Sequence, residues 1–182
     1  MSNRVYPINS YQFSQSDRLL FDANIWLYLY GPEFNAKDNR TITYSIALRK
    51  ASAAKSQLFI DPLIVSEFVN SYGRTIYNKL PKGSKPQEFK SFRNSPSFQP
   101  ISQRITKDIK TILKNCHRIE SGWELVDIER IFHDFQTGKS DFNDLMLAQL
   151  CQHQNLKLVT HDADFQGLDV TILTANSRLV NP

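Results

Sequence analysis

Four acidic residues, Asp22, Glu67, Asp144 and Asp162, sit in local contexts that deliver side chains to the ends of regular elements. Asp22 closes the apolar run Leu19-Leu20-Phe21 and leads into Ala23-Asn24-Ile25-Trp26-Leu27. Glu67 lies in Asp61-Pro62-Leu63-Ile64-Val65-Ser66-Glu67-Phe68-Val69-Asn70. Asp144 lies in Ser140-Asp141-Phe142-Asn143-Asp144-Leu145-Met146-Leu147-Ala148, and Asp162 in Leu158-Val159-Thr160-His161-Asp162-Ala163-Asp164-Phe165. Carboxylates gathered in one place repel one another, by about 1 kcal/mol per pair at 4 Å in water and about 4 at an effective dielectric of 20. A divalent cation offsets that repulsion directly. Mg²⁺ or Mn²⁺ takes oxygen ligands and needs neither His nor Cys. One such ion polarises a phosphoryl oxygen and activates water, and a second, ~3.5–4 Å away, stabilises the leaving oxygen. The chemistry these residues suggest is metal-dependent phosphodiester hydrolysis. Each of the four also has a plainer use, as a loop, capping or surface-helix residue.

The elements that must position them are legible as alternating strands and helices. Arg18 to Phe21, Gln57 to Ile60, Leu156 to Thr160 and Val170 to Thr174 read as strands. Asn24 to Tyr30 begins a helix that Gly31-Pro32 stops. Thr41 to Lys55 reads as a helix with Ile42, Ile46 and Ala53 near one stripe and Ala47, Ala51 and Ala54 beside it. Pro62 suits a first helical turn, and that helix runs through Glu67 towards Tyr72. Ile101, Ile105, Ile109, Ile112 and Leu113 repeat at helical spacing. A shorter helix covers about Asp127 to Phe135, and Ser140 or Asp141 caps another that reaches about His153. Residues 1–17 read as a loosely ordered lead-in. The alternation predicts an α/β protein with three layers (α/β/α) around a central parallel sheet of about four to five strands. Right-handed crossovers put all strand C-termini on one edge, where the four carboxylates can converge.

Length and composition bound the reading. The 182 residues predict one domain spanning the chain, with an insertion over residues 73–100. Cys116 and Cys151 are far apart and read as buried free thiols in a reducing cytosol. Met1 to Asp17 has no apolar h-region, and the longest apolar stretch, Ile25 to Tyr30, cannot span a bilayer. The expectation is a cytoplasmic protein with no membrane association. A net charge of +4 and a pI of about 9.1 favour an anionic partner.

The four segments, in this order and spacing, resemble the PIN domains, and among them the toxin-type nucleases often called VapC. The resemblance covers most of residues 18–174. It implies a Mg²⁺- or Mn²⁺-dependent endoribonuclease whose acidic set is Asp22, Glu67, Asp144 and Asp162. Asn24 and Thr160 match polar positions that support such a site. The resemblance also implies the toxin of a toxin–antitoxin pair, with a homodimeric assembly and a small antitoxin that blocks the cleft. The family's toxin members are usually shorter, and the excess here lies mostly in residues 73–135. Asp141 reads as an outer metal ligand or as a helix N-cap. Asp164 reads as a ligand of a second metal or as a loop-shaping residue. Asn24 is an N-cap or a supporting group, and His161 reads as an ordinary, partly exposed histidine.

Residues 74–93 hold Arg74, Lys79, Lys82, Lys85, Lys90 and Arg93 against the single acid Glu88, six minus one or +5, more than the net charge of the whole chain. Tyr72, Tyr77, Phe89, Phe92 and Phe98 are interleaved. Cations for phosphates with aromatics for bases suit single-stranded RNA. The other reading is a solvated lobe whose aromatics pack on the main domain. Two further functions stay open. One is a non-catalytic RNA-binding or scaffold domain on the same fold. The other is a haloacid-dehalogenase-type phosphatase, whose chemistry wants Asp-x-Asp where this chain has Asp22-Ala23-Asn24.

Overall fold

The computed structural model describes residues 4–138 and 140–181. The strands are β1 (Arg4–Pro7), β2 (Arg18–Phe21), β3 (Gln57–Ile60), β4 (His117–Arg118), β5 (Lys157–Val159) and β6 (Thr171–Thr174). The helices are α1 (Ala23–Tyr30), α2 (Asn39–Ala53), α3 (Pro62–Asn78), α4 (Phe89–Arg93), α5 (Gln99–Leu113), α6 (Ile128–Gln136), α7 (Phe142–Gln154) and α8 (Ser177–Val180).

The sheet is wholly parallel, in the order β1-β6-β5-β2-β3-β4. From β2 the chain steps outward to β3 and β4, then jumps back to β5 on the other side of β2. The order therefore reverses between β2 and β5, and in open parallel sheets ligand sites form above such a point. Right-handed crossovers place α1 to α5 on one face and α6 with α7 on the other. Leu19, Leu20, Phe21, Leu158 and Val159 of the two central strands are fully buried. That explains their unbroken apolar sequence, since a strand covered on both faces has no polar side.

The sheet has six strands where four to five were expected. The two extra ones lie at its edges. β1 is part of the lead-in read as loosely ordered, of which residues 1–3 lie outside the described residues. The stretch after it is fixed by Asp17, which accepts hydrogen bonds from the Tyr11 hydroxyl (2.9 Å), the Ser14 N–H (2.8 Å) and the Lys157 ammonium. A second difference lies in α2. Ile42 and Ile46 are on its exposed side, and its packed face is Thr41, Tyr44, Ala47 and Ala51.

Local sequence sets the helix ends that matter. Asp61 caps α3 through the Leu63 N–H (2.7 Å), with Pro62 in the first turn. Asp141 caps α7 through the Asp144 N–H (2.9 Å). Gly31 ends α1 because a Cβ there would stand 2.3 Å from the Leu27 carbonyl oxygen. Gly73, the first residue of the expected insertion, lies inside α3. A Cβ on this buried glycine would come within 3.2 Å of the Phe89 ring and 3.4 Å of the Phe98 ring.

Those rings belong to a second packing unit. Tyr77, Phe89, Phe92 and Phe98 contact one another with centroids 5.4–6.4 Å apart. Phe92 is buried, and Tyr72 packs against Phe68 in the main core. The aromatics of the basic segment therefore hold α4 against α3. Of the two readings of these aromatics, the packing favours the one in which they hold the segment to the main domain. Both cysteines are free thiols, Cys151 buried and Cys116 half-buried. Among the described residues no helix is long and apolar enough to cross a membrane.

Candidate functional site

Asp22 is locked where β2, β5 and α1 meet. Its N–H donates to the Val159 carbonyl (3.0 Å), and its own carbonyl accepts from Ile25 and Trp26. Its carboxylate receives three donors: the Ala23 N–H (2.6 Å), the Asn24 amide (2.5 Å) and the Thr160 hydroxyl (2.7 Å). The group is 3% exposed. Burial and the nearby charge of Asp162 raise its pKa from 3.8 to about 6, against the pull of those hydrogen bonds.

The other three acids stand around it. Glu67 is the sixth residue of α3 and half-buried. Burial, then the charges of Asp22, Asp141 and Asp162, push it up to about 7. Asp144, half-buried in the first turn of α7, is pushed to about 8 by burial and then by Asp141, Asp22, Asp162 and Asp164. Asp162, exposed after β5, caps the short turn Ala163–Phe165 through the Asp164 N–H (3.0 Å). The charge of Asp162 reaches all three raised groups and that of Asp22 reaches Glu67 and Asp144, which sets Asp22 and Asp162 within electrostatic range of the other two. Among the described residues no three Asp, Glu, His or Cys side chains are already drawn together as a ligand set. The donor set is oxygen-only and acidic, which fits a hard divalent cation.

The supporting residues are placed with the same economy. Thr160 is fully buried and its hydroxyl is used three times. It donates to Asp22 and accepts from the Asn24 amide (3.0 Å) and the Asp162 N–H (3.0 Å). The Asn24 carbonyl oxygen accepts from the His161 N–H (3.2 Å). Asn24 is thus a cross-link between α1 and the end of β5. It also occupies the position where a phosphatase of the Asp-x-Asp kind needs a second carboxylate. Asp141 acts as the N-cap, and Asp164 shapes the loop, its carbonyl accepting from the Ser140 hydroxyl (3.1 Å).

Thr160→Val keeps the shape and removes the hydroxyl. Asp22 then loses a donor, and the Asn24 amide and Asp162 N–H lose an acceptor. We expect activity to fall ~10–100-fold, as for other groups that orient a ligand, with Thr160→Ser retaining most of it. The acid limb of the pH–rate profile should move up, because the Thr160 bond holds Asp22 down. A profile that does not move would leave Thr160 a packing residue only.

Two features were not anticipated from sequence. Tyr44 of α2 is fully buried beneath the end of β5. Its hydroxyl lies 3.2 Å from the Thr160 carbonyl, 2.9 Å from His161 Nδ1 and 3.0 Å from the Ala175 N–H. His161 is accordingly half-buried, and burial with nearby Arg40 lowers its pKa. Asp61, at the end of β3, is buried, and its Oδ2 has no hydrogen-bond partner among the described residues. An apolar run before Asp61 was the available signal for it; nothing local pointed to Tyr44.

The basic segment is only partly free. Lys79 pairs with Glu33 (2.7 Å), the Arg74 guanidinium lies 4.9 Å from the Phe89 ring centre, and the Lys85 ammonium lies 4.4 Å from that of Tyr77. Lys82, Lys90 and Arg93 are exposed.

A family model described as PIN domain matches residues 19–170. No curated protein matches the chain. Among solved structures, VapBC2 from Rickettsia felis bound to a DNA fragment from their promoter is similar, with a TM-score of 0.57 and 14% identity, over 86% of this chain and 98% of that one. PAE2754 from Pyrobaculum aerophilum is similar with a TM-score of 0.51 and 13% identity, over 96% of this chain and 94% of that one. At such identities the likeness is one of fold.

Proposed function

The chain belongs to the PIN domain family, and on that premise we propose that it is a Mg²⁺- or Mn²⁺-dependent endoribonuclease. One observation carries this reading. Burial raises Asp22, Glu67 and Asp144, from three elements, to about 6, 7 and 8 at the carboxyl edge of the sheet, and the charge of Asp162 adds to the rise of all three. Such a costly charge cluster has no use in a domain that only binds.

Asp22, Glu67, Asp144 and Asp162 would hold the cation. When bound, it would supply charge neutralisation at the phosphoryl group and a reactive water. Thr160 and Asn24 keep Asp22 ionised and aimed. Asp141 and Asp164 add negative charge to the rim and so favour cation entry. No side chain of the site needs to act as a nucleophile.

The test is cleavage of a mixed single-stranded and structured RNA pool with Mg²⁺, Mn²⁺ or EDTA. Cleavage with either metal and none in EDTA is expected. Binding without cleavage under every metal would replace the nuclease with a binding domain.

RNA would be drawn in by the free cations of the insertion. Replacing Lys82, Lys90 and Arg93 with Ser should weaken RNA binding. Its salt dependence should flatten by ~0.7 in log–log slope for each phosphate no longer neutralised, or about two in all. Binding that keeps its slope would remove these residues from the RNA path.

A toxin role with an antitoxin partner is the extension that the fold likeness to a VapBC assembly supports, and a homodimer in the cytoplasm is proposed with it. Phe132 and Phe135 on α6, both exposed and both against Phe142, offer apolar surface of the kind that partners cover.

A further inference from the structure

We propose that the cavity beside Asn24, between α1, α2 and α3, receives one unpaired RNA base stacked on the flat face of the Arg40 guanidinium. The inference rests on the RNA reading above. The cavity is about 250 Å³ and is lined by Asn24, Tyr28, Glu33, Arg40, Thr41 and Thr75 among others. That is below the ~300–1,000 Å³ of drug-sized pockets and suits a single ring system. Asn24 lines it while donating to Asp22, so the cavity begins where the carboxylate site ends. Thr75 and Glu67 share one side of α3 at a spacing of eight residues. A nucleotide next to the scissile phosphate is thus the part of a strand that reaches it.

Tyr28 and Arg40 stand together in the wall, with Tyr44 behind Tyr28. Tyr44 and Tyr28 are stacked, with centroids 6.1 Å apart and planes 13° apart. The Arg40 guanidinium lies over the Tyr28 ring, 4.8 Å from its centre. Its edge is already in use: Nε donates to Asp38 Oδ1 (3.1 Å), Nη2 to Asp38 Oδ2 (2.9 Å) and Nη1 reaches the Tyr28 hydroxyl (3.5 Å). An arginine held in this way has its fork occupied and its charge partly matched by Asp38, so it makes a poor phosphate clamp. What it still offers is a fixed planar face, and bases stack on guanidinium planes as they do on aromatic rings. The Glu33–Lys79 pair ties the loop over residues 31–38 to the end of α3 at the cavity's rim.

The test uses the full chain carrying Asp22→Asn, so that RNA is bound without being cut. Fluorescein-labelled 12-mer RNAs of mixed sequence are compared, intact and with one abasic nucleotide moved along the strand, in Mg²⁺. Loss of a stacked base should weaken binding about 5- to 150-fold at one position. Adding Arg40→Ala should weaken intact RNA by a similar factor and abolish the abasic effect. Arg40→Lys, which keeps the charge and loses the plane, should behave as Arg40→Ala. Binding indifferent to the abasic site at every position overturns the proposal, as does an abasic effect that survives in Arg40→Ala. Full rescue by Arg40→Lys overturns it too, and so does the absence of RNA binding by either chain. The chain without Asp22→Asn is assayed for cleavage in parallel. No cleavage there, with the abasic effect intact, would defeat the nuclease reading alone.

Discussion

Asp22→Asn should reduce RNA cleavage by at least ~10²–10³-fold, the range lost with one preorganised charge-stabilising group, and leave the fold intact. Three donors converge on the two Asp22 oxygens. Asn supplies one oxygen and turns an amide towards at least one of those donors, which costs stability. Against this, a carboxylate buried beside other acids is itself a burden at neutral pH, as its raised pKa records. Removing the charge and spoiling one hydrogen bond work in opposite directions, so the thermal midpoint should change little while activity collapses. Glu67→Gln and Asp144→Asn should also lose most activity. Combining either with Asp22→Asn should add little, because groups that hold one ion act as a unit. The checks are single-turnover cleavage with Mn²⁺ and far-ultraviolet circular dichroism on each variant. Cleavage by Asp22→Asn within about tenfold of the parent, in protein proved free of contaminating nuclease, would move the reaction elsewhere on the molecule.

What the sequence discloses here, and what it hides, follows from where each interaction is made. The central strands are covered on both faces, so Leu19-Leu20-Phe21 and Leu158-Val159 are written as apolar runs. The acids sit beside such runs or beside helix caps, both local signals, and so the candidate site could be read off. The edge strands carry no such mark. Arg4–Pro7 is mostly exposed and ends in proline, and His117–Arg118 is two polar residues long. Their pairing is decided by a neighbour far along the chain. In α2 the pattern misleads, because Ile42 and Ile46 are the more apolar residues while Tyr44 is the buried one. Tyr44 is placed by polar contacts to Thr160, His161 and Ala175, more than a hundred residues away. The aromatics of the basic segment were ambiguous for a similar reason. A ring that stacks on RNA and a ring that packs on Gly73 have the same sequence context, and only the close approach of Phe89 and Phe98 to that glycine decides.

Without divalent metal, the protein should lose stability as pH rises from about 5.5 to 8.5, and Mn²⁺ or Mg²⁺ should restore most of the loss. Asp22, Glu67 and Asp144 all have folded-state pKa values above their ordinary ones, at about 6, 7 and 8. An acid of this kind binds its proton more tightly when folded. Its contribution is fully present below the ordinary carboxylate range and is lost as pH climbs through the folded value. For buried Asp22 the rise from 3.8 to about 6 corresponds to at most ~3 kcal/mol. Glu67 and Asp144 are half-exposed, so solvent screening shrinks their share. Groups of opposite sign act outside this window or at its acid end. Asp17 and Asp38 are held low and matter near pH 4, and neutral His161 begins to cost stability as pH falls below its ordinary 6.5. A cation binds only the ionised carboxylates. Its stabilisation grows as RT ln(1 + [L]/Kd), with Kd falling as the protons leave. The gain in thermal midpoint should therefore be larger at pH 8 than at pH 5.5. Asp144→Asn separates this from a general ionic effect. It removes the most strongly raised group, so the metal-free midpoint at pH 8 should rise, the slope with pH should flatten, and the metal gain should shrink. Scanning calorimetry in EDTA, Mg²⁺ and Mn²⁺ across that pH range decides the matter. A midpoint that is flat or rising in EDTA, or a metal gain equal at both pH values and in Asp144→Asn, would mean that these carboxylates do not share one ion.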